Sequence, residues 1–476
     1  MNSAAPSPAN HRWPPQVKYI VGNEACERFS YYGMKGILAL YITNVLLQTR
    51  DQATNIIHLF GFANYFMPLL GAWVSDRFWG RYHTILWISL FYCLGHGVLA
   101  TSDFIPSNDG KMLTLFIGLG LIAFGSGGIK PCVSAFMGDQ FKPDQRHLLQ
   151  KAYAAFYWSI NLGSFFSFLI IPFIHKRWGY SWAFGVPGIF MALATLIFWR
   201  GTKHYVRVPP ARLSGRAGFF KVFFVALNGA KERRPGQSFW DAARARFSDA
   251  DVDAAKSDGP ILGIFALIPV FWALFDQTFS TWVLQGEKML PFKIGDWIIG
   301  PEEMLSANPL LVMLLIPVMT LWLYPWLGRL ATPLRRMAYG MFLDALSYVV
   351  VAMLQTRLDA GAQLSILWQT APYLILTIAE VLISTTGLEF AFREAAPEMK
   401  STIMGFWNLT VAVGNLLVSG ITVVAARLFG GPDGHSVSVS PKMFLFYAGL
   451  TFLVAIAFSL VATRYHYRDA AAAQGK

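Results

Sequence analysis

GNEACERFSYYG, residues 22–33, sets Glu24, Glu27 and Arg28 inside the first of a long series of apolar runs. A charge at bilayer depth is expensive unless it faces the interior of a helix bundle and finds partners there. Glu24, Glu27, Arg28, Tyr31 and Lys35 fall at i, i+3, i+4, i+7 and i+11, so they share one face of a helix. Glu24 precedes Arg28 by four residues, the favourable order for an intrahelical ion pair. Such a pair is worth a few tenths of a kcal/mol, too little on its own to justify burial. A structural ion-pair cluster is one reading of the stripe; five polar residues on one face favour the other, a water-filled cavity between helices.

Working outward, the chain of 476 residues is 55% hydrophobic and 14% charged, and apolar runs recur from end to end. A buried soluble core would not produce a dozen such runs, and barrel strands would be shorter and alternating. The expectation is an all-α polytopic membrane protein with twelve transmembrane helices. They fall at about 18–48, 53–76, 83–101, 111–137, 150–174, 181–199, 259–286, 307–328, 337–356, 367–393, 401–426 and 440–463. The first seventeen residues are polar and lack a short apolar core with a cleavage site, so no cleavable signal peptide is expected. Counting Lys and Arg by alternate loops puts about 27 with the two termini and about 9 on the other side, which predicts both termini in the cytoplasm. The formal charge of +12 is then a topology signal spread over loops, not a nucleic-acid footprint. Cys26, Cys93 and Cys132 sit in or beside spans without metal-like spacing and read as small buried hydrophobes, so neither metal nor cofactor is expected.

Six spans, a polar stretch and six more spans predict two six-helix bundles, over residues 18–199 and 259–466, joined by a cytoplasmic linker at 200–258. The linker's apolar patch, Gly218 to Ala230, is too short to cross a bilayer and is expected to lie along the cytoplasmic face. GAWVSDRFWGRYHT after the second span has a degraded echo, LGRLATPLRRMAYG, after the eighth. Its glycines, acid and bases have the spacing of the major facilitator loop signature. Gly71 suits close helix approach and Gly80 a tight turn, with Asp76 free to cap or to pair with Arg77 or Arg81. In parallel repeats of this kind the substrate site is expected near mid-membrane between the halves.

Other charges lie at matching depth: Lys130, Asp276 and Glu380. With the first-helix group they make four acids and three bases, so one carboxylate lacks a permanent cation and gains by binding a proton. ExxERFxYYG (Glu24 to Gly33), FGSGGIKPCVSAFMGDQF, FYWSINLGS, FWALFDQTFSTWVLQ, Asn308–Pro309 and AEVLISTTGLEFA together resemble the proton-coupled oligopeptide transporter family of the major facilitator superfamily, over nearly the whole chain. The resemblance implies a symporter of di- and tripeptides, not an enzyme. By matching positions it implies that Lys130, Lys35 and Arg28 attract the peptide carboxylate. Glu380, Asn161 and Asn308 would receive the amino terminus, and Tyr32, Tyr65, Trp282 and Trp407 would line side-chain pockets.

Proton coupling is assigned by the same resemblance to Glu24, Glu27, Arg28 and the pair of Asp276 with Lys35, and to His58, whose spacing from Tyr65 and Asp76 is similar to that of animal members. Many bacterial relatives carry arginine in place of Lys35. Two extra helices of many bacterial members and a large extracellular insertion of animal members are absent from the sequence, so a compact bacterial form in the inner membrane, working as a monomer, is expected. Asp344, His96 and Glu389 are left as structural. The alternatives are a transporter of another small anionic or zwitterionic substrate, and a peptide receptor. An intramembrane enzyme is disfavoured because no HExxH-like constellation is present.

Overall fold

The charged first run is one helix, α1 (Val17–Leu40), which loosens into a π turn at Tyr41–Val45. Thr49 then caps α2 (Arg50–Val74) with a reciprocal capping box through Gln52. The chain continues through α3 (Gly80–Ala100), α4 (Asn108–Asp139), α5 (Leu149–Trp178) and α6 (Tyr180–Arg200). The computed structural model describes residues 13–210, 219–229, 238–395, 400–430 and 436–467. After α6 come a short helix α7 (Phe219–Asn228), then α8 (Asp249–Phe265), α9 (Pro269–Phe275) and α10 (Thr281–Gly286). The C-terminal half is completed by α11 (Ala307–Val318), α12 (Tyr324–Leu327), α13 (Pro333–Asp359), α14 (Thr370–Glu380), α15 (Thr386–Glu394), α16 (Lys400–Phe429) and α17 (Pro441–Thr463).

Among the described residues, ten helical stretches are long and apolar enough to cross a membrane. One of them, Arg50–Phe104, contains both α2 and α3. Helix α1, which carries Lys18, Glu24, Glu27, Arg28 and Lys35, is not among the ten. The outer surface is apolar, with Trp87, Trp322, Phe429 and Leu453 all exposed, as lipid contact requires and water would not tolerate. This is the major facilitator architecture.

Within the N-terminal half α1 packs on α5 and α6, and α3 on α4 and α6. In the C-terminal half α13 packs on α14 and α17, and α16 on α9. The halves meet along two seams, α2 against α16 and α5 against α11. One end of both seams is tied by polar contacts: Arg50 to Glu287 at 3.3 Å, His175 to Glu302 at 2.8 Å and Lys176 to Glu303 at 2.5 Å. Asp51 accepts from Ser436 and from the backbone N–H groups of Val437 and Ser438 at the same end.

Three local features differ from the sequence expectation. Helix α8 begins at Asp249, capped by Ser248, so the last ten residues of the expected linker are helical and run straight into the seventh span. That span is broken: α9 gives way to a 3₁₀ turn at Asp276–Phe279, and Ser280, at φ −128° and ψ −87°, restarts the chain as α10. Between α10 and α11 the chain makes an antiparallel hairpin, Phe292–Ile294 with Trp297–Ile299. In the loop after α2, Gly80 takes φ 71° as the turn requires. Arg81 passes over Asp76 and bonds Asp139 at the end of α4, at 2.6 and 2.7 Å, a partner the local sequence does not reveal.

Helices α2 and α4 touch backbone to backbone at Gly71. A Cβ there would sit 2.5 Å from the Gly128 carbonyl oxygen and 2.6 Å from its Cα, so there is nowhere for it to go. Gly71→Leu is expected to destabilise the fold by about 1–3 kcal/mol, the range for overpacking. Thermal melting of the purified protein checks this: the midpoint falls for Gly71→Leu and is unchanged for Gly120→Ala, where a Cβ meets nothing within 4 Å.

Candidate binding and proton-coupling site

Seven of the expected site residues, Tyr32, Lys35, Tyr65, Asn161, Asp276, Asn308 and Glu380, line one cavity of about 180 Å³ between the halves. Ligand pockets commonly run from about 300 to 1,000 Å³, so this one must widen to hold a peptide. Its remaining wall is aromatic, chiefly Tyr157, Phe168, Trp272, Phe275, Phe279 and Tyr373. Trp282 and Trp407 are buried behind that wall. The Trp282 ring packs edge-on to Tyr373 at 4.9 Å and Trp407 packs on Trp272 at 6.3 Å, so the residues that reach the cavity are Tyr373 and Trp272. Helical periodicity identifies the inward face but not which of two aromatic layers is in front.

The charged stripe on α1 divides its duties. Arg28 is an ion-pair partner of both Glu24, at 3.0 Å, and Glu27, and all three side chains are buried. They do not line the cavity; they lie in the packed interior beside Tyr31, whose ring is 5.8 Å from the Arg28 guanidinium. The stripe expected to face water is therefore mostly an ion-pair cluster: Glu24, Glu27 and Arg28 pair with one another, Tyr31 is packed in the interior, and of the five only Lys35 lines the cavity. Lys35, two turns beyond Arg28, crosses to the C-terminal half and bonds Asp276 Oδ1 at 3.0 Å, with the face of Phe279 3.9 Å from its Nζ. Asp276 occupies the first residue of the break in the seventh span, where an interrupted helix suits an ion or proton site.

His58 joins the same network. Asn415 Nδ2 donates to Asp276 Oδ2 at 2.6 Å, and Asn415 Oδ1 lies 2.8 Å from His58 Nδ1. Because the amide nitrogen is committed to the carboxylate, the amide oxygen faces the ring, and His58 must carry its proton on Nδ1. Its Nε2, 2.9 Å from Ser280 Oγ, is then the nitrogen that can take up a proton. The Ser280 hydroxyl also lies 3.4 Å from the Gln277 carbonyl, so it can turn from donating to Nε2 to donating to that oxygen without displacing a heavy atom. Asn415 was not singled out from sequence: a lone asparagine in an apolar helix carries no periodic signal. The seam accommodates it because residue 61 is glycine, where a Cβ would meet Asn415 Oδ1 at 2.3 Å.

Two charges remain. Lys130 Nζ is buried on α4 and has no hydrogen-bond partner among the described residues; it lies over the rings of Tyr31 and Tyr65, at 4.3 and 4.6 Å. Glu380, on the cavity wall at the last residue of α14 before a π turn, has an amide for its neighbour: Asn308 Nδ2 donates to it at 2.6 Å and to Thr377 at 3.2 Å. Asn161 Nδ2 donates to the Tyr157 carbonyl at 3.0 Å, which leaves its amide oxygen to the cavity. His96 bonds Ser30 at 2.9 Å and Glu389 pairs with Arg393 and Arg336, both structural roles. Asp344 is fully buried in α13 with no hydrogen-bond partner for either carboxylate oxygen among the described residues. The described residues hold no group of His, Cys, Asp and Glu that suits a metal ion.

The Lys35 to Asp276 pair yields a direct test. Removing one partner of a buried pair costs about 3–5 kcal/mol, because the other charge is left without compensation, whereas replacing both with apolar groups is often neutral. Lys35→Met and Asp276→Leu are each expected to lower the melting midpoint, and the double variant to recover most of the loss.

The sequence model of the POT family matches residues 82–429. Solute carrier family 15 member 2 of Rattus norvegicus is 38% identical over 364 residues, 73% of this chain and 50% of its own length. Peptide transporter 3 of Caenorhabditis elegans is 38% identical over 362 residues, 73% of this chain and 51% of its own. The chain thus spans about half the length of the curated relatives it matches. Among solved structures, an auto-inhibited POT family peptide transporter superposes with a TM-score of 0.86 at 41% identity, covering 95% of this chain and 98% of that one. The POT family transporter PepTSo, crystallised in meso, gives a TM-score of 0.86 at 40% identity over 95% of this chain and 99% of its own.

Proposed function

Because the chain belongs to the POT family, we propose that it is a proton-coupled symporter that imports di- and tripeptides by alternating access. It would act as a monomer in a bacterial inner membrane, with twelve spans and both termini in the cytoplasm. Residues 18–199 and 259–466 would be the two bundles, and 200–258 the connection between them.

One observation carries the reading. Around the cavity, a cation and a carboxyl have no ion-pair partner among the described residues: Lys130 of the N-terminal half, whose buried Nζ lies behind the Tyr65 ring, and Glu380 of the C-terminal half, half-buried on the cavity wall and bonded by the Asn308 amide. A zwitterion supplies both missing charges at once: its carboxylate for Lys130, its ammonium group for Glu380, with Asn161 and Asn308 turned to the same end. The aromatic walls then tolerate many side chains, since each ring offers apolar area and a polar edge.

Proton coupling follows from the second network. Asp276, Asn415 and His58 are linked by hydrogen bonds and act as one acid. A proton on either Asp276 or His58 weakens the hold of Asp276 on Lys35 and frees that cation toward the incoming carboxylate. Glu24 and Glu27 share Arg28, and a proton on either changes the field at Lys130. A ligand shifts a two-state equilibrium only by its differential affinity. Peptide bridging the halves favours closure around the cavity, and loss of the proton restores the Lys35 pair on release.

Labelled dialanine taken up into proteoliposomes under an inward proton gradient is the test. Wild type is expected to accumulate it. In Glu380→Gln, which loses a charge-assisted hydrogen bond worth about 1.5–3 kcal/mol, accumulation is expected to fall by about tenfold or more. Asn415→Leu is expected to lower gradient-driven accumulation while peptide counterflow without a gradient persists. No dialanine uptake by well-folded wild type would move the assignment to another small zwitterion or to a receptor.

A further inference from the structure

Two consecutive bases in the last turn of α5, His175 and Lys176, meet two consecutive acids where the chain turns into α11, Glu302 and Glu303. His175 Nε2 lies 2.8 Å from Glu302 Oε2, and Lys176 Nζ lies 2.5 Å from Glu303 Oε1. Glu303 Oε2 also accepts from the backbone N–H of Gly300 at 3.0 Å, so both oxygens of that carboxylate are engaged. Glu302 is less well served. It is 1% exposed, and its Oε1 has no hydrogen-bond partner among the described residues.

A carboxylate buried in this way is costly unless a cation stands beside it. Lys176 is committed to Glu303, and Arg177, next along α5, lies 5.7 Å from the Trp178 ring. His175 is the group placed to supply the missing charge, and it does so only with a proton on both ring nitrogens. Its surroundings favour that form. Tyr180 stacks on the imidazole at 4.7 Å, and Glu302, Glu287 and Asp103 all act on the Tyr180 phenol. With Glu303 they make four acids, against Arg50, Lys176 and Arg177 as permanent cations. The negative end of α5 adds a further preference for a cation in its last turn.

We propose that the contact of His175 with Glu302 is a further proton-binding site, on which the outer ends of the two halves close. The inference rests on the alternating-access reading above. With the halves apart both groups are hydrated, and the Glu302 carboxylate no longer needs the proton. Closure therefore binds a proton, and by linkage acid favours closure. The effect is present at low pH and fades as the pH rises through the histidine range, about pH 5 to 8. On the proposed topology His175 stays on the outer side in both states, so its proton is taken from and returned to one compartment. It sets the closing of the gate and is not cargo, in contrast to the proton on Asp276 or His58.

The test places nitroxides on Phe104→Cys and Trp368→Cys, two exposed positions at the outer ends of the N-terminal and C-terminal halves. Cys26, Cys93 and Cys132 are replaced by alanine in the full chain and the fold is checked by melting. Double electron–electron resonance, without peptide and without a gradient, reads the ratio of outer-closed to outer-open protein between about pH 8 and about pH 5, where carboxylates stay mostly ionised. The ratio is expected to rise in acid by about fivefold or more, the lower end of ordinary coupling between sites. His175→Gln and Glu302→Gln are each expected to lose most of that rise, and His175→Lys, charged throughout, to stay closed across the range. An undiminished rise in His175→Gln or Glu302→Gln overturns the proposal, as does a flat ratio in wild type with both states present. Either result leaves the transport assignment standing if dialanine is still accumulated. A single distance at every pH, with dialanine or without it, contradicts alternating access itself and takes the latch down with it.

Discussion

Lys35 and Asp276 meet at 3.0 Å, each nearly inaccessible to water, one on the first helix and the other at the break of the seventh span. Neither charge is tolerable alone at that depth, so the pair binds the two halves to each other at the level of the cavity. The other buried charges arrange themselves around this fact. Arg28 pairs with Glu24 and Glu27, and Asp276 with Lys35 and Asn415; among the described residues Lys130 on one half, Glu380 on the other and Asp344 inside α13 are left without an ion-pair partner. Glu380 lines the cavity and Lys130 lies behind the ring of Tyr65 on its wall, so a ligand with opposite ends is the one that would answer both charges.

Two of the breaks in regular helix fall at the site. The seventh span unwinds at Asp276 and restarts at Ser280, and the two residues reach His58 by different routes, one through Asn415 and one directly. Glu380 closes α14 just before a π turn, a distortion that redirects side chains at the cost of helical regularity. The end of the molecule held by Arg50 to Glu287 and by His175 and Lys176 to Glu302 and Glu303 is closed in this conformation. A cavity of about 180 Å³ behind it is consistent with a state that has not yet opened for a peptide.

Much of this was legible in the sequence because charge in an apolar helix is conspicuous and helical period assigns it to a face. The stripe on α1, the pairing of Glu24 with Arg28 and the meeting of Lys35 with Asp276 follow from spacing and from family resemblance. What was illegible depends on depth and on tertiary neighbours. Trp282 and Trp407 lie behind Tyr373 and Trp272 because periodicity gives direction and not layer. Asn415 looks like an ordinary polar residue until Asp276 and His58 arrive from other helices. Arg81 finds Asp139 rather than Asp76 because α4 ends beside it. The break at Ser280 has no proline or glycine within FDQTFST to announce it.

The central claim is that Lys130 and Glu380 await the two ends of one zwitterion, and it is tested most directly by calorimetric titration of the purified protein with dialanine, N-acetyl-dialanine and dialanine amide. The account predicts that dialanine binds and that both blocked forms lose affinity by about tenfold or more, since each leaves one buried charge without its counterpart. Equal binding of either blocked peptide would contradict it.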